Sequence, residues 1–84
     1  MLQAQSSIVD FSGLILGFCS AALSYMGYGP EQVSRNLNLA RQNIEIIELL
    51  IKKTEGNRSP EEDELCQEAL RDLRQRFVEV SREP

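Results

Sequence analysis

Histidine and tryptophan are absent from this sequence of 84 residues, and it contains only two cysteines, Cys19 and Cys66. The missing histidines and the wide separation of the cysteines leave no spacing typical of a structural zinc site. Both cysteines lie in apolar stretches that are expected to be helical, which favours two buried thiols in a reducing cytoplasm over a disulfide. Because a short domain without a metal or a disulfide has little core of its own, we expect the chain to assemble with other subunits.

Residue types that carry out catalysis are also scarce. Ser20 and Ser24 have no histidine or lysine near them in the sequence to act as a base, and neither cysteine has an activating neighbour. The acidic run Glu61-Glu62-Asp63-Glu64 is interpreted as the solvated first turn of a helix, where carboxylates favour the positive end of the helix dipole. We therefore predict a protein that is not an enzyme and that has no metal site and no cofactor.

Charged residues of both signs are mixed along the chain. Nine lysines and arginines are interleaved with thirteen acidic residues, and the formal net charge is −4. Phosphate binding requires clustered basic side chains, so no nucleic-acid partner is expected. The three arginines of residues 71–76 are interpreted as part of a surface network of ion pairs. Asp72 with Arg76, and Glu48 with Lys52, have the spacing of weak pairs along a helix.

The period of the apolar residues predicts three helices, at about residues 7–27, 36–54 and 60–81, within a single domain of residues 1–84. No stretch alternates between apolar and polar residues as a half-buried strand does. Because both connections between helices are short, neighbouring helices are expected to run roughly antiparallel. The predicted fold class is all-α, a three-helix antiparallel hairpin or bundle that is completed by homo-oligomerisation.

Residues that favour helix ends support these bounds. For the first helix, Ser7 or Asp10 can cap the start, and Gly27, Gly29 and Pro30 can end the helix.

The other two helices carry similar residues at their ends. Asn36 is expected to cap the second helix, and Gly56 follows its end. Ser59 and Glu62 have the spacing of a capping box, and Pro60 then occupies the first position of the third helix.

The first helix is apolar on every side. Residues 11–28 carry no charge, and Gly13, Gly17 and Ala21 place small residues along one side. A helix that is apolar all round is expected to be buried all round, and two neighbours in the same chain cannot surround it. We therefore predict that a second copy of the chain covers it, because small residues let two helix backbones approach closely. The predicted interface comprises Phe11, Gly13, Leu14, Gly17, Phe18, Ala21, Ser24 and Tyr25.

Several alternatives compete with this homodimer. A tetramer, or another protein as the partner, would also cover the first helix. Ile46 and Leu49 give the second helix a wider apolar stripe than one neighbouring helix would cover. The two glycines could instead pack against the second or third helix of the same chain. A membrane-associated protein held by its first helix, spanning the membrane or attached at its surface, is less favoured. The stretch barely reaches the roughly 20 residues of a spanning helix and has no basic or tryptophan anchors. The weakest alternative is an apolar ligand or partner helix in a groove lined by Phe11, Phe18, Tyr25 and Ile47.

The chain as a whole shows a recurring pattern. The pattern begins with an apolar small-residue helix that ends at Met26-Gly27. It continues with Leu39-Ala40-Arg41-Gln42 and with Lys53-Thr54-Glu55-Gly56-Asn57. It closes with Leu73-Arg74 and Phe77-Val78. Over residues 10–80 this resembles a family of short bacterial proteins known only as a domain of unknown function, DUF1844. The chain departs from the family at Arg58, where leucine is usual and an apolar contact is expected to be lost, and at Phe77, where tyrosine is common. The resemblance implies a bacterial, cytoplasmic, all-helical module without a known activity. The apolar first helix and the missing catalytic groups predict that this module has an interaction or structural role.

Overall fold

The computed structural model describes residues 9–28 and 35–82, which form three α-helices: α1 (Phe11–Met26), α2 (Leu37–Lys53) and α3 (Pro60–Ser81). These residues contain no strand, so the predicted all-helical class is confirmed. The first helix begins later than residue 7 because Asp10 has extended backbone angles, φ −134° and ψ 176°. Its carboxylate accepts a hydrogen bond from the backbone N–H of Gly13 at 2.7 Å, which makes Asp10 the N-cap. The other candidate cap, Ser7, lies outside the described residues.

The end of α1 is set by Gly27. Its φ of 101° lies in the left-handed region, which a residue without a Cβ adopts at little cost. The N–H of Gly27 donates to the carbonyl of Ser24 at 3.0 Å, and the N–H of Tyr28 donates to the carbonyl of Leu23 at 2.9 Å. This is the Schellman pattern, which satisfies carbonyls that the last turn of a helix leaves without partners. The further breakers Gly29 and Pro30 lie outside the described residues.

The starts of α2 and α3 depend on short-range hydrogen bonds that the sequence predicts. The side chain of Asn36 accepts a hydrogen bond from the N–H of Leu39 at 3.1 Å. At α3, the Ser59 hydroxyl accepts from the N–H of Glu62 at 3.1 Å, and the Glu62 carboxylate accepts from the N–H of Ser59 at 2.8 Å. Pro60 occupies the first turn, where a missing N–H costs nothing. The predicted capping box is confirmed.

Each helix packs against the other two, and contacts at their ends give the directions. The N–H of Asn36, before α2, donates to the carbonyl of Tyr25, near the end of α1, at 2.8 Å. The Arg41 guanidinium, early in α2, lies 5.7 Å from the centre of the Phe77 ring, late in α3. The end of α1, the start of α2 and the end of α3 therefore meet, and α2 runs antiparallel to both other helices.

A core of apolar side chains lies between the three helices. Among the described residues, no polar or charged residue is classed as buried. The side chains of Ile15, Met26, Ile47 and Leu73 are the largest with almost no exposed surface. The full set of buried residues is Ile15, Cys19, Ala22 and Met26 from α1, Ala40, Ile44 and Ile47 from α2, and Cys66, Leu70, Leu73 and Val80 from α3.

The turn between α2 and α3 is joined by the side chain of Arg58, which is only 11% exposed. Its guanidinium donates to the backbone carbonyl of Ile51 and, at 2.9 Å, to the hydroxyl of Thr54. It also forms an ion pair with Asp63 at 2.8 Å. A cation at the carboxyl end of α2 favours the helix dipole, and the pair with Asp63 ties that end to the first turn of α3. The family resemblance predicts that an apolar contact is lost at this position. Arg58 instead supplies polar contacts to both α2 and α3.

Arg58→Ala is expected to lower the melting temperature by several degrees, because it leaves the Ile51 carbonyl and the Asp63 carboxylate without this donor. Arg71→Ala, which removes an exposed arginine from the middle of α3, serves as the matched control and should change the melting temperature little. Thermal unfolding followed by circular dichroism measures both. Equal melting temperatures for the two variants would show that the Arg58 contacts contribute nothing to stability.

Candidate interaction face on the first helix

Within residues 9–28 and 35–82, the chain buries only one side of α1. Ile15, Cys19, Ala22 and Met26 follow one another at intervals of four, three and four residues, which places them on a single face of the helix. The same spacing puts Gly17 on the opposite side. The sequence-based argument that two other helices cannot surround this apolar helix therefore holds within the chain, because α2 and α3 together cover only one face.

The side of α1 that faces away from the core is open around Gly17. Among the described residues, a Cβ atom built at Gly17 would meet no atom beyond the adjacent backbone of α1 within 4 Å, so this glycine packs against neither α2 nor α3. The alternative in which it packs within its own chain is wrong at this position. Two leucines beside it remain substantially uncovered, with Leu14 45% and Leu16 50% exposed. We call the surface formed by Gly13, Leu14, Leu16, Gly17, Ser20, Ala21 and Ser24 the open face.

A shallow groove of about 380 Å³ runs along one flank of the open face. Five of the eight predicted interface residues line it, together with one residue of α2: Gly13, Leu14, Gly17, Phe18, Ala21 and Asn43. The amide of Asn43 donates to the carbonyl of Leu39 at 2.8 Å within its own helix. The groove therefore offers apolar contact and small residues rather than a set of converging polar groups.

Three predicted interface residues do not line the groove, namely Phe11, Ser24 and Tyr25. Phe11 and Tyr25 are partly buried and pack against the core. Ser24 is also partly buried, one helical turn beyond Ser20. The groove predicted for an apolar ligand does not form as proposed, because Ile47 is completely buried and cannot line an open surface.

The predicted interface lacks three residues of the open face and its groove, namely Leu16, Ser20 and Asn43. Leu16 was absent because the sequence does not say which flank of an apolar helix faces outward. Asn43 was absent because it belongs to α2, and its own polar side chain does not indicate a contact with α1. A partial indication existed in Ile46, which extends the apolar stripe of α2, lies three residues from Asn43 and is partly buried.

The two thiols are free and buried in the core, on α1 and α3. Burial, followed by the negative charge of Asp72, raises the pKa of the Cys19 thiol. Burial also raises the pKa of the Cys66 thiol, although the positive charge of Arg58 opposes that shift. Because the thiolate is the reactive form, both shifts reduce reactivity.

The buried thiols are expected to react with iodoacetamide at pH 8 far more slowly in the folded protein than in guanidinium chloride. Because their pKa values are raised, the folded-state rate should still be rising with pH beyond the ordinary thiol range, about pH 8.5, where the rate of an unperturbed thiol begins to level off. Mass spectrometry of the alkylated chain over time measures this rate. Rapid labelling of Cys19 or Cys66 without denaturant would contradict the burial.

Two residues of the acidic run at the start of α3, and two of the three arginines at positions 71–76, make local contacts. Within the described segments, no three side chains of the metal-binding types come together, and Glu62 and Asp63 make the capping and Arg58 contacts already given. The predicted pair between Asp72 and Arg76 forms at 2.9 Å. Glu48 pairs with Arg74 of α3 at 2.7 Å, so it links two helices instead of reaching Lys52 along its own.

These features define a small helical protein whose first helix presents an uncharged face that the described part of the chain leaves open. The chain belongs to the DUF1844 family, described as a domain of unknown function, whose sequence profile matches residues 8–79. The resemblance inferred from the sequence is thereby confirmed. No curated protein and no solved structure matches the chain. In residues 9–28 and 35–82, no helix combines the length and the apolar character needed to cross a membrane.

Proposed function

We propose that this protein is a non-catalytic helical module of the bacterial cytoplasm that assembles with a second copy of itself through the open face. The observation that carries the proposal is the exposure of Leu14 and Leu16 beside Gly17, where the described residues leave room for a side chain. Large contiguous patches of exposed apolar surface on soluble proteins usually mark interaction sites.

The small residues support helix-to-helix contact. A glycine in the middle of a helix costs about 1 kcal/mol relative to alanine, so Gly17 weakens α1 as an isolated helix. That cost is offset if the missing side chain lets a second helix pack closely. Leu14 and Leu16 then supply the apolar area on either side of the contact.

A stable interface needs more surface area than α1 alone presents. A specific complex buries about 800 Å² per partner, whereas a helix of 16 residues presents a strip roughly 24 Å long and 10 Å wide. The neighbouring flank of α2 must contribute as well. Leu39, Asn43 and Ile46 lie on that flank and are only partly buried, so they are the candidates for the additional area.

Sedimentation equilibrium of the full chain tests the proposal. We expect an average mass of about twice the 9.5 kDa of one chain at micromolar concentration, falling on dilution. A mass of four chains would extend the same assembly to a tetramer. A single-chain mass throughout the micromolar range would overturn the proposal. Cell fractionation without detergent should place the protein in the supernatant, and recovery only with membranes would favour attachment through α1 instead.

A further inference from the structure

One polar side chain lies in the groove beside the open face. Asn43 of α2 lines this groove together with small and apolar residues of α1, and it is only partly buried. Its amide donates one hydrogen bond, at 2.8 Å, to the carbonyl of Leu39 in its own helix. Within residues 9–28 and 35–82, the side-chain oxygen and the second amide N–H of Asn43 bond no other group. In a single chain these two groups are left to bond water.

Asn43 also lies near the middle of the surface that we propose as the contact. Helix α2 spans residues 37–53 and α1 spans residues 11–26, so Asn43 and Gly17 each lie within two residues of the middle of their helices. Both residues line the groove, which places them at the same level across it. The partly buried Leu39 and Ile46, which are the candidates for the additional contact area, lie about one turn to either side of Asn43.

A two-fold dimer brings the residues at its symmetry axis against their own copies, because the same patch of both chains forms the contact. A contact centred on the groove places this axis beside Gly17 and Asn43. Closing the contact removes water from the Asn43 amide, and an amide that loses water without gaining a hydrogen bond is unfavourable. An identical amide turned by half a rotation supplies what is needed, since its oxygen meets the free N–H and its free N–H meets the oxygen.

We infer that Asn43 and the partner's Asn43 form a reciprocal pair of hydrogen bonds at the symmetry axis, and that this pair fixes the register of the dimer. The inference rests on the proposed function and names the residue at the centre of the contact. The apolar contacts of the open face have no preferred direction, so they tolerate packings that are shifted along the helices. Any shifted packing buries both amides without partners, and a single polar pair in an apolar contact selects one register for this reason.

An exchange of charge at position 43 tests whether this residue meets its own copy. We would prepare Asn43→Asp and Asn43→Lys as separate chains, and measure each alone and both mixed by sedimentation equilibrium. In either variant alone two like charges meet at the axis, and we expect the dissociation constant to rise at least about tenfold above the wild-type value. In the mixture opposite charges meet, and we expect the mixed dimer to be about tenfold tighter than either variant alone.

Gln75→Asp and Gln75→Lys provide the matched control, because they place the same charges at an exposed position of α3. Alone and mixed, these chains should associate as the wild type does. Equal effects at positions 43 and 75 would show a general influence of net charge and would overturn the inference.

The other outcomes separate this inference from the proposed function. Wild-type dissociation constants for both Asn43 variants would overturn the inference and leave self-association standing. Weakened association of each variant without recovery in the mixture would place Asn43 in the contact but away from its own copy, and would also overturn it. A single-chain mass for the wild type would overturn the proposed function itself.

Circular dichroism checks that the charged variants keep the helicity of the wild type. Should either lose it, Asn43→Cys replaces them, because a residue at the axis can form a disulfide with its own copy. Oxidation of this variant alone should then give a cross-linked dimer, in excess of the product from Gln75→Cys and from the wild type, whose Cys19 and Cys66 are buried. Absence of that excess would overturn the inference.

Discussion

Gly17→Leu is expected to convert the assembled protein into a folded monomer, with the dissociation constant raised at least 100-fold, or about 2.7 kcal/mol. A leucine side chain at this position would project from the centre of the open face and hold the partner helix away. Within one chain the Cβ atom of this side chain would have no neighbour within 4 Å among the described residues, and the groove beside it is open to solvent. Leucine also favours the helix over glycine by close to 1 kcal/mol, so α1 itself should be strengthened. Sedimentation equilibrium gives the mass, and circular dichroism checks the helicity.

Gln75→Leu is the matched control for this variant. It introduces the same side chain on an exposed position of α3, on the side away from the core, and should leave the mass unchanged. Loss of assembly in both variants would point to a general effect of an added surface leucine. An unchanged dissociation constant in Gly17→Leu would remove the open face as the contact.

Ile47→Ala is expected to destabilise the fold by about 2–5 kcal/mol, the range for truncating a fully buried aliphatic side chain. Ile47 has no exposed surface and lies in the core shared by the three helices. Its removal takes apolar area out of the core and leaves a cavity that fixed helices fill only in part. Since small domains have roughly 5–15 kcal/mol in total, this is a large share of the stability. Urea unfolding followed by circular dichroism measures the change.

Leu49→Ala provides the comparison on the same helix. Leu49 is 52% exposed, so the same kind of truncation should cost only a few tenths of a kcal/mol. Similar losses for Ile47→Ala and Leu49→Ala would mean that the burial pattern of α2 differs from the one described. A larger loss for Leu49→Ala, dependent on protein concentration, would instead place that residue in an interface between chains.

The ends of the helices could be predicted from the sequence because their chemistry is local. The Ser59 and Glu62 capping box, the Asn36 cap and the left-handed Gly27 each depend on residues a few positions apart. The start of α1 was predicted too early, since Ser7 and Asp10 are both acceptable caps by type. The structure uses Asp10, whose extended backbone sets the first helical residue at Phe11.

The burial of α1 could be predicted only in part. A helix that is apolar on every side gives no preferred face, so the sequence could not distinguish Ile15, which is buried, from Leu14 and Leu16, which are exposed. That choice depends on which volumes α2 and α3 present. Contacts between helices, such as Glu48 with Arg74, were inaccessible for the same reason. The predicted interface nevertheless includes most of the groove, because small residues at intervals of four share one side of a helix.

The absence of buried polar residues from the described core has a consequence for how this family can vary. Apolar contacts have no preferred direction, so exchanges among aliphatic residues of similar volume are tolerated provided that the space stays filled. Several directional interactions lie at the ends of the helices instead, in the Asp10, Asn36 and Ser59 caps. We therefore expect the interiors of related chains to drift more freely than the residues that start and stop each helix.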